Sequence, residues 1–218
     1  IWLMHVRKVR NSAENVMKRA PSTRSEVTKR GILDIARQHF SSVGFEGTST
    51  RSIATEAGIN HSLNVYHFTN KLGLWKAVMN DLFAAFADHA GRHVASSDDA
   101  VELLRTNMHA FVSFCAETPE LHRIMTIEGR MKSDRLTWLL DTYLKSNFET
   151  VSTRIRAGQT EGRVRQGNPA QLYYGAIGIA GTLATLAQEY EALSGESASS
   201  EASIASAIEL IDALLFVD

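Results

Sequence analysis

The stretch from Thr48 to Lys71 constrains the fold of this chain most, because it contains two short helical patterns separated by a glycine. Ser49 is a favourable N-cap for the first helix, and Asn60 is one for the second. The apolar stripe of the first helix consists of Ile53, Ala54 and Ala57. Gly58 follows directly, where a chain that leaves a helix often needs positive φ. The pattern therefore predicts a helix, a tight turn and a second helix.

The second short helix is too polar on one side to be core. We predict that Leu63 and Tyr66 continue its buried side. The predicted outward face consists of His61, Ser62, Asn64, Val65 and His67. A helix-turn-helix that places its second helix in the major groove of DNA has this pattern. For Tyr66 two roles stay open, a core aromatic residue and a phosphate contact.

The run from Ala57 to Lys71, AGINHSLNVYHFTNK, resembles the N-terminal signature of the TetR family of bacterial transcriptional regulators. The resemblance covers about residues 23–78 and departs from the family pattern at Asn64 and at Leu72–Gly73. Positions of the family's first-helix core are occupied by Ile32, Leu33, Ala36, Phe40, Gly44 and Phe45. The resemblance implies an all-α protein, with a three-helix DNA-binding head followed by a larger helical domain for ligand binding and dimerisation.

The hypothesis assigns DNA contacts residue by residue. Base edges are approached by Asn60, His61, Ser62, Asn64 and His67. Phosphates are contacted by Thr48, Thr50, Arg51, Tyr66 and Lys71. The expected partner is double-stranded DNA with an inverted repeat, bound by a homodimer that acts as a repressor. The expected location is the bacterial cytoplasm, on the nucleoid.

Charge is distributed unevenly along the 218 residues. Residues 1–80 contain 12 Lys and Arg against 5 Asp and Glu, a net charge of +7, whereas residues 81–218 carry −8. A basic segment before an acidic one is typical of a polyanion-binding module joined to a part that avoids polyanions. We divide the chain into an extension (1–22), a helix-turn-helix domain (23–70) and a ligand-binding and dimerisation domain (71–218).

The first residues do not resemble a signal peptide, because the apolar run at Ile1–Met4 is too short. We expect Met17 to be the natural start and residues 1–22 to be a disordered extension. A basic arm lying along DNA is the alternative. Cys115 is the only cysteine, so an intrachain disulfide is excluded and a reducing compartment is expected. We interpret its thiol as a small buried hydrophobic group.

Helical spacing continues to the end of the chain, and no alternation typical of strands is present. A Thr23-x-x-Glu26 capping box begins the first helix, which ends at Gly44, with Ile32, Ala36, Phe40 and Val43 spaced along one side. Asn70 caps a long helix to about Val94, and Ser96–Asp98 cap the next. The remaining helices are predicted at Ala100–Glu117, Glu120 to about Ile127, about Asp134–Ala157, Pro169–Leu193 and Ala202–Phe216, with Gly158, Gly162 and Gly167 in one loop.

Aromatic residues and methionines are concentrated between residues 83 and 148. The resemblance implies a small-molecule pocket in this region, and we expect it to be mainly apolar. Candidate lining residues are Phe83, Phe86, Met108, His109, Phe111, Cys115, Met125, Trp138 and Tyr143. Among them, His109, Cys115 and Tyr143 would supply polar groups.

Residues 172–187 contain no charge and many small side chains. A helix of this kind is usually clamped between other helices. The resemblance implies that the last two helices pair with those of a second copy. Candidate interface residues are Tyr174, Gly178, Gly181, Thr182, Thr185, Ile208 and Ile211. A buried helix within a monomer is the alternative.

Other classes of function receive little support. No hydrolase, zinc-protease, P-loop or dinucleotide motif is present, and we expect no catalysis, cofactor or metal. His89 and His93 have i, i+4 spacing but no identified third ligand. The uncharged run is shorter than a membrane-spanning helix, so we expect no membrane. The alternative function is a helical small-molecule-binding protein or enzyme, in which the first three helices are only scaffold.

Overall fold

The computed structural model describes residues 23–93 and 97–217, without the side chains of residues 23, 24, 64 and 65. In these ranges the chain forms helices and no strand, apart from one isolated bridge between Val164 and Phe216. The predicted all-α class is therefore confirmed. The predictions for residues 1–22, Val94 and Ser96 lie outside the described residues.

The head begins with helices α1 (Thr23–Gly47), α2 (Thr50–Glu56) and α3 (His61–Phe68) and leads into α4 (Lys71–His93). Gly44 has φ 71° and ψ −178°, so the regular helical path of α1 stops at this residue, where its end was predicted. The Asn70 side chain accepts a hydrogen bond from the Gly73 N–H at 2.8 Å, so the predicted cap of α4 is confirmed.

The body contains α5 to α11. These helices are α5 (Ala100–Glu117), α6 (Pro119–Glu128), α7 (Asp134–Leu139), α8 (Lys145–Thr160), α9 (Pro169–Thr185), α10 (Ala187–Ser194) and α11 (Glu201–Leu215). A π-helical segment, Leu140–Leu144, joins α7 to α8. The cap of α5 is Asp99, whose carboxylate accepts from the N–H groups of Val101 and Glu102 at 2.8 and 3.0 Å, and not the predicted Asp98.

Two hydrophobic clusters hold these helices together. The first joins the head to α4, α6 and the π segment, and the second lies within the body. Ile32, Ala36 and Phe40 of α1 are fully buried in the first cluster. Val43, predicted on the same side, is 56% exposed. The helical path stops at Gly44, and Phe45 packs against this cluster instead.

Two predicted helix boundaries differ from those in the structure. The helix predicted over Pro169–Leu193 is interrupted at Leu186, where φ −110° and ψ 22° separate α9 from α10. Gly158 lies inside α8 and not in the predicted loop. A side chain at this position would overlap Val164 and Val101, so the close packing requires a glycine. Among the described residues, no helix is both long and apolar enough to span a membrane.

Gly181 allows close contact between α6 and α9. A Cβ atom at this position would overlap the imidazole ring of His122, whose pKa is lowered by burial. Gly181 is thus buried within one chain, and its prediction as an interface residue is wrong.

Gly181→Ala is expected to lower the free energy of unfolding by about 1–3 kcal/mol, the usual cost of overpacking. Urea unfolding of the full chain measures this change. Gly31→Ala in α1 is the control, since no atom lies within 4 Å of its added methyl group. His122→Ala combined with Gly181→Ala should recover part of the loss. Equal stability of the two single variants would contradict the steric account.

Candidate nucleic-acid interface

The helix-turn-helix contains three local features that the sequence predicted: a cap at each short helix and a glycine with positive φ between them. The Ser49 hydroxyl accepts a hydrogen bond from the Ser52 N–H at 3.4 Å, and Gly58 has φ 64°. The Asn60 side chain accepts from the Ser62 N–H at 3.0 Å and caps α3. In addition, Thr50 Oγ1 lies 3.2 Å from His61 Nε2 and ties α2 to α3. These contacts fix the second short helix relative to the first.

The exposed face of α3 differs from the predicted one. Leu63 is 37% exposed and Tyr66 is 80% exposed, so their predicted burial is wrong. This short helix is anchored from its ends by Ile59, which packs against the first cluster, and by the buried Phe68. Ser62, Leu63 and Tyr66 consequently share the outer face, at spacings that bring side chains together on a helix.

The remaining predicted base contacts take different positions. Asn60 is exposed, whereas His61 and His67 are only half-exposed. Burial lowers the pKa of His67, the nearby Lys29 lowers it further, and Glu26 opposes both effects. His67 therefore lies beside α1 as a neutral imidazole at neutral pH. The side chain of Asn64 lies outside the described part of the structure, so its contact with bases stays a prediction.

Thr48 is not positioned for the predicted phosphate contact. It is 4% exposed, and its hydroxyl donates to the Gly44 carbonyl oxygen at 2.7 Å. The hydroxyl thus satisfies a carbonyl group at the end of α1, where helices leave acceptors unpaired. Arg51 is exposed on α2 and Thr50 is half-exposed, and both remain candidates.

Lys71 is held at the first residue of α4. Its Nζ donates to the Glu46 carbonyl oxygen at 3.3 Å and lies 4.6 Å from the centre of the Phe45 ring. An ammonium group carries three N–H donors, so two remain for a phosphate. Two cations, Arg51 on α2 and Lys71 on α4, and the exposed Tyr66 hydroxyl on α3 are therefore the candidate phosphate contacts on the three consecutive helices.

The predicted dimer residues separate into two groups. An exposed stripe along α9 contains Tyr174, Gly178, Thr182 and Thr185. Ile208 is half-buried, but Ile211 is fully buried in the second cluster, so its assignment to the interface is wrong. Leu210 on α11 was not among the predicted residues, and it is 59% exposed. Its neighbour Ile211 has the same hydrophobic character, so only packing distinguishes the two.

The predicted ligand-lining residues pack into the two clusters. Phe83 stacks on Tyr143 at 4.0 Å, and Phe86 lies edge-on to Phe111 at 5.7 Å. Met125 and Trp138 pack against the first cluster, and Met108 belongs to the second. Burial raises the pKa of Cys115 and of Tyr143 to about 12 in each case, so both remain protonated at neutral pH.

His109 is occupied by a polar contact between helices. Its Nε2 lies 2.8 Å from the carboxylate of Asp212 on α11. Arg105 also approaches Asp212, at 2.9 Å. This cluster ties α5 to α11 and explains a histidine at this position without a ligand. A separate cavity of about 410 Å³ has no predicted ligand-lining residue in its wall, although Thr185 was an interface candidate. It is lined by Ser41, Ser42, Arg123, Thr185, Leu186, Ala187, Gln188 and Glu189.

The rings of His89 and His93 form a stacked pair on α4. Their ring centres are 4.5 Å apart, and His93 Nδ1 lies 2.8 Å from the His89 carbonyl oxygen. In the ranges that the structure describes, no group of three metal-ligating side chains is present. His89 is 3% exposed and its Nε2 has no hydrogen-bond partner in the described part of the chain. Sequence analysis did not predict this buried polar atom.

Known proteins share this architecture. Residues 32–78 match the family of "Bacterial regulatory proteins, tetR family". The probable HTH-type transcriptional regulator YttP of Bacillus subtilis (strain 168) is 26% identical over 137 residues, which cover 62% of this chain and 66% of that relative, just under two thirds.

Solved structures are similar over most of the chain. A protein from Shewanella sp. PV-4 described as a tetR family transcription regulator has a TM-score of 0.64 at 22% identity, covering 88% of this chain and 99% of its own. A regulatory protein in the tetR family from Rhodococcus RHA1 has a TM-score of 0.69 at 17% identity, with 88% and 98% covered. At such identities the likeness establishes the fold. The helix-turn-helix geometry of the head and the sequence match at residues 32–78 therefore agree, and this segment is similar to the tetR family of bacterial regulatory proteins.

Proposed function

We propose that the chain is a ligand-responsive transcriptional repressor that binds an inverted-repeat operator as a homodimer. The observation that carries this proposal is the capped helix-turn-helix, whose second helix exposes Ser62, Leu63 and Tyr66. Arg51 lies on the preceding helix, and Lys71 begins the following one. Cations flanking a short exposed helix match the phosphates on either side of a major groove. The proposed location is the bacterial cytoplasm, where chromosomal DNA is accessible.

Leu63 is proposed to contact the methyl group of thymine in the major groove. Thymine has an apolar C5-methyl group there, and apolar side chains contact it. The thymine methyl group is an apolar partner in the major groove for an exposed leucine on the outer face of α3. We therefore assign Leu63, together with Ser62, to base recognition.

The dimer is proposed to form through α9 and α11. The exposed stripe of α9 carries Tyr174 with small residues after it, and α11 exposes Leu210. Small residues allow helices to approach closely, and a two-fold axis lets one patch serve both copies. Two heads held in this way match the half-sites of an inverted repeat.

The ligand is proposed to bind among the aromatic residues of the body, with His89 as its polar anchor. Burial and the neighbouring His93 and Arg92 lower the pKa of His89, while Glu117 raises it, so the imidazole is neutral at pH 7. A buried polar atom without a partner is unfavourable. A mainly apolar molecule with one hydrogen-bonding group would satisfy Nε2 and pack against Phe114, whose ring lies 5.6 Å away. The buried thiol of Cys115 and the buried hydroxyl of Tyr143 remain secondary candidates for a polar contact with the ligand.

The function is tested by selecting duplexes from a random pool with the full chain and measuring their affinity at several salt concentrations. We expect nanomolar affinity near physiological salt and two chains per duplex. Lys71→Ala should weaken binding to every duplex and reduce the slope of log affinity against log salt by about 0.9, the value of one phosphate contact. Thr48→Val is the control, because its buried hydroxyl contacts only the chain itself, and its slope should stay unchanged. If the wild-type protein retained no duplex, the alternative of a helical ligand-binding protein or enzyme would be favoured.

Recognition of thymine by Leu63 is tested with deoxyuridine, which lacks only the C5-methyl group. Substitution of each thymine in one half-site should weaken the wild-type protein about three- to fivefold at the contacted position, as expected for one buried methyl-sized group. Leu63→Ala should lose affinity and become insensitive to the same substitution. Ser62→Ala should keep the wild-type response to deoxyuridine. If Leu63→Ala responded as the wild type does, Leu63 would not read the methyl group.

The role of His89 is tested by screening uncharged aromatic and aliphatic compounds for release of the bound duplex. A compound that releases the wild-type protein should act at least about tenfold more weakly on His89→Phe, since a lost buried hydrogen bond has roughly this effect. His93→Phe, at an exposed neighbouring position, should respond as the wild type does. Equal release of His89→Phe would show that Nε2 is not the anchor.

A further inference from the structure

Phe45 is contacted by two cations from different parts of the chain. Lys71 Nζ, at the start of α4, lies 4.6 Å from the centre of the ring. The guanidinium carbon of Arg135, in α7 of the body, lies 4.0 Å from the same centre. Cations at such distances are attracted to the ring electrons. One side chain therefore joins a candidate DNA-contacting residue to the body.

The position of Arg135 is determined by the body. Its Nε donates to both carboxylate oxygens of Glu128 at 3.0 Å, and Glu128 is 3% exposed. A buried carboxylate needs such a partner, and the planar guanidinium holds its orientation better than a lysine would. The Arg135 Nη1 group also reaches the Glu46 carboxylate at 3.2 Å. Arg135 thus spans from a buried residue of α6 to the residue that follows Phe45.

The same two residues, Phe45 and Glu46, hold Lys71 from the side of the head. The Glu46 carbonyl oxygen accepts a hydrogen bond from Nζ, and the Phe45 ring lies beneath the ammonium group. They follow Gly44, where α1 stops, and a Cβ atom on Gly44 would lie 3.2 Å from Ile127 of α6. This segment is therefore seated on the body and not only on the head.

We infer that Arg135 is a positioning residue for DNA binding, because it holds the Phe45–Glu46 platform from which Lys71 reaches a phosphate. The inference rests on the proposed function. Arg135 itself need not touch DNA, since its Nε and Nη1 are used by Glu128 and Glu46. A shift of the connection between α6 and α7 would then change the phosphate contact through Phe45.

The test is a double-mutant cycle on full-length chains, with a duplex selected from a random pool by the wild-type protein. Glu128→Gln with Arg135→Met removes both charges, so no unpaired carboxylate is left buried. We expect this neutral pair to bind the duplex about fivefold more weakly than the wild-type protein does. A fivefold change is at the lower end of the usual range of coupling between two sites. Lys71→Ala should reduce the salt slope by about 0.9 in the wild type and by clearly less in the neutral pair.

Two further variants separate positioning from a loss of stability. Phe45→Leu removes the ring but keeps both cations, and it should reduce the effect of Lys71→Ala in the same way. Arg37→Met is the matched control, because Arg37 also faces the body, 3.8 Å from Glu120, but does not contact Phe45. Lys71→Ala should keep its full effect in this background. Thermal unfolding monitored by circular dichroism confirms that each variant is folded at the assay temperature.

The outcomes are distinct. A reduced effect of Lys71→Ala in the neutral pair and in Phe45→Leu, with a full effect in Arg37→Met, supports the inference. An equal effect in all backgrounds overturns it while the wild-type protein still binds DNA. No effect of Lys71→Ala in the wild type also overturns it. If the wild-type chain selects no duplex, the proposed function fails first and the inference fails with it.

Discussion

The packing of α1 between α4 and α6 is the interaction on which the rest of the structure depends. Ile32, Ala36 and Phe40 are fully buried there, in a cluster that also contains Trp75 of α4 and Ile124 of α6. Because buried apolar surface is the main source of stability, the head does not have a core that is independent of the body. One hydrophobic cluster therefore extends across the predicted boundary at residue 70.

Polar contacts at the edge of this cluster fix the orientation of α1 relative to the neighbouring helices. Arg30 pairs with Asp81 at 2.8 Å, and Arg135 reaches Glu46, so both the beginning and the end of α1 are tied to other helices. Exposed pairs of this kind contribute little energy by themselves. Their value lies in geometry, since they fix where α2, α3 and Lys71 stand relative to the body. Under the proposed function, a ligand in the body would act on DNA binding through these pairs and through the shared hydrophobic cluster, because an effector shifts an equilibrium only between states that differ in their contacts.

The candidate site was predictable where a local rule fixes the backbone. The caps at Ser49, Asn60 and Asn70 and the positive φ of Gly58 depend on residues two or three positions apart, so spacing alone predicted them. The side chains on α3 were harder to place. Leu63 and Tyr66 have the apolar character of core residues, but Ile59 and Phe68 occupy the available interior. Thr48 looked like a phosphate ligand and instead bonds to Gly44 within the head.

The sequence by itself determined the helical class, the glycine turn and the family of the head, because these follow from periodicity, capping and a specific local motif. Only the tertiary structure decided which of several similar side chains are exposed. Leu210 faces outward and Ile211 inward, and Gly181 is covered by His122 from a helix about sixty residues away in sequence. The contacts of Lys71 and Arg135 with Phe45 likewise join residues that are distant in the sequence. Contacts between residues distant in sequence leave no local pattern, so they become visible only when the helices are packed.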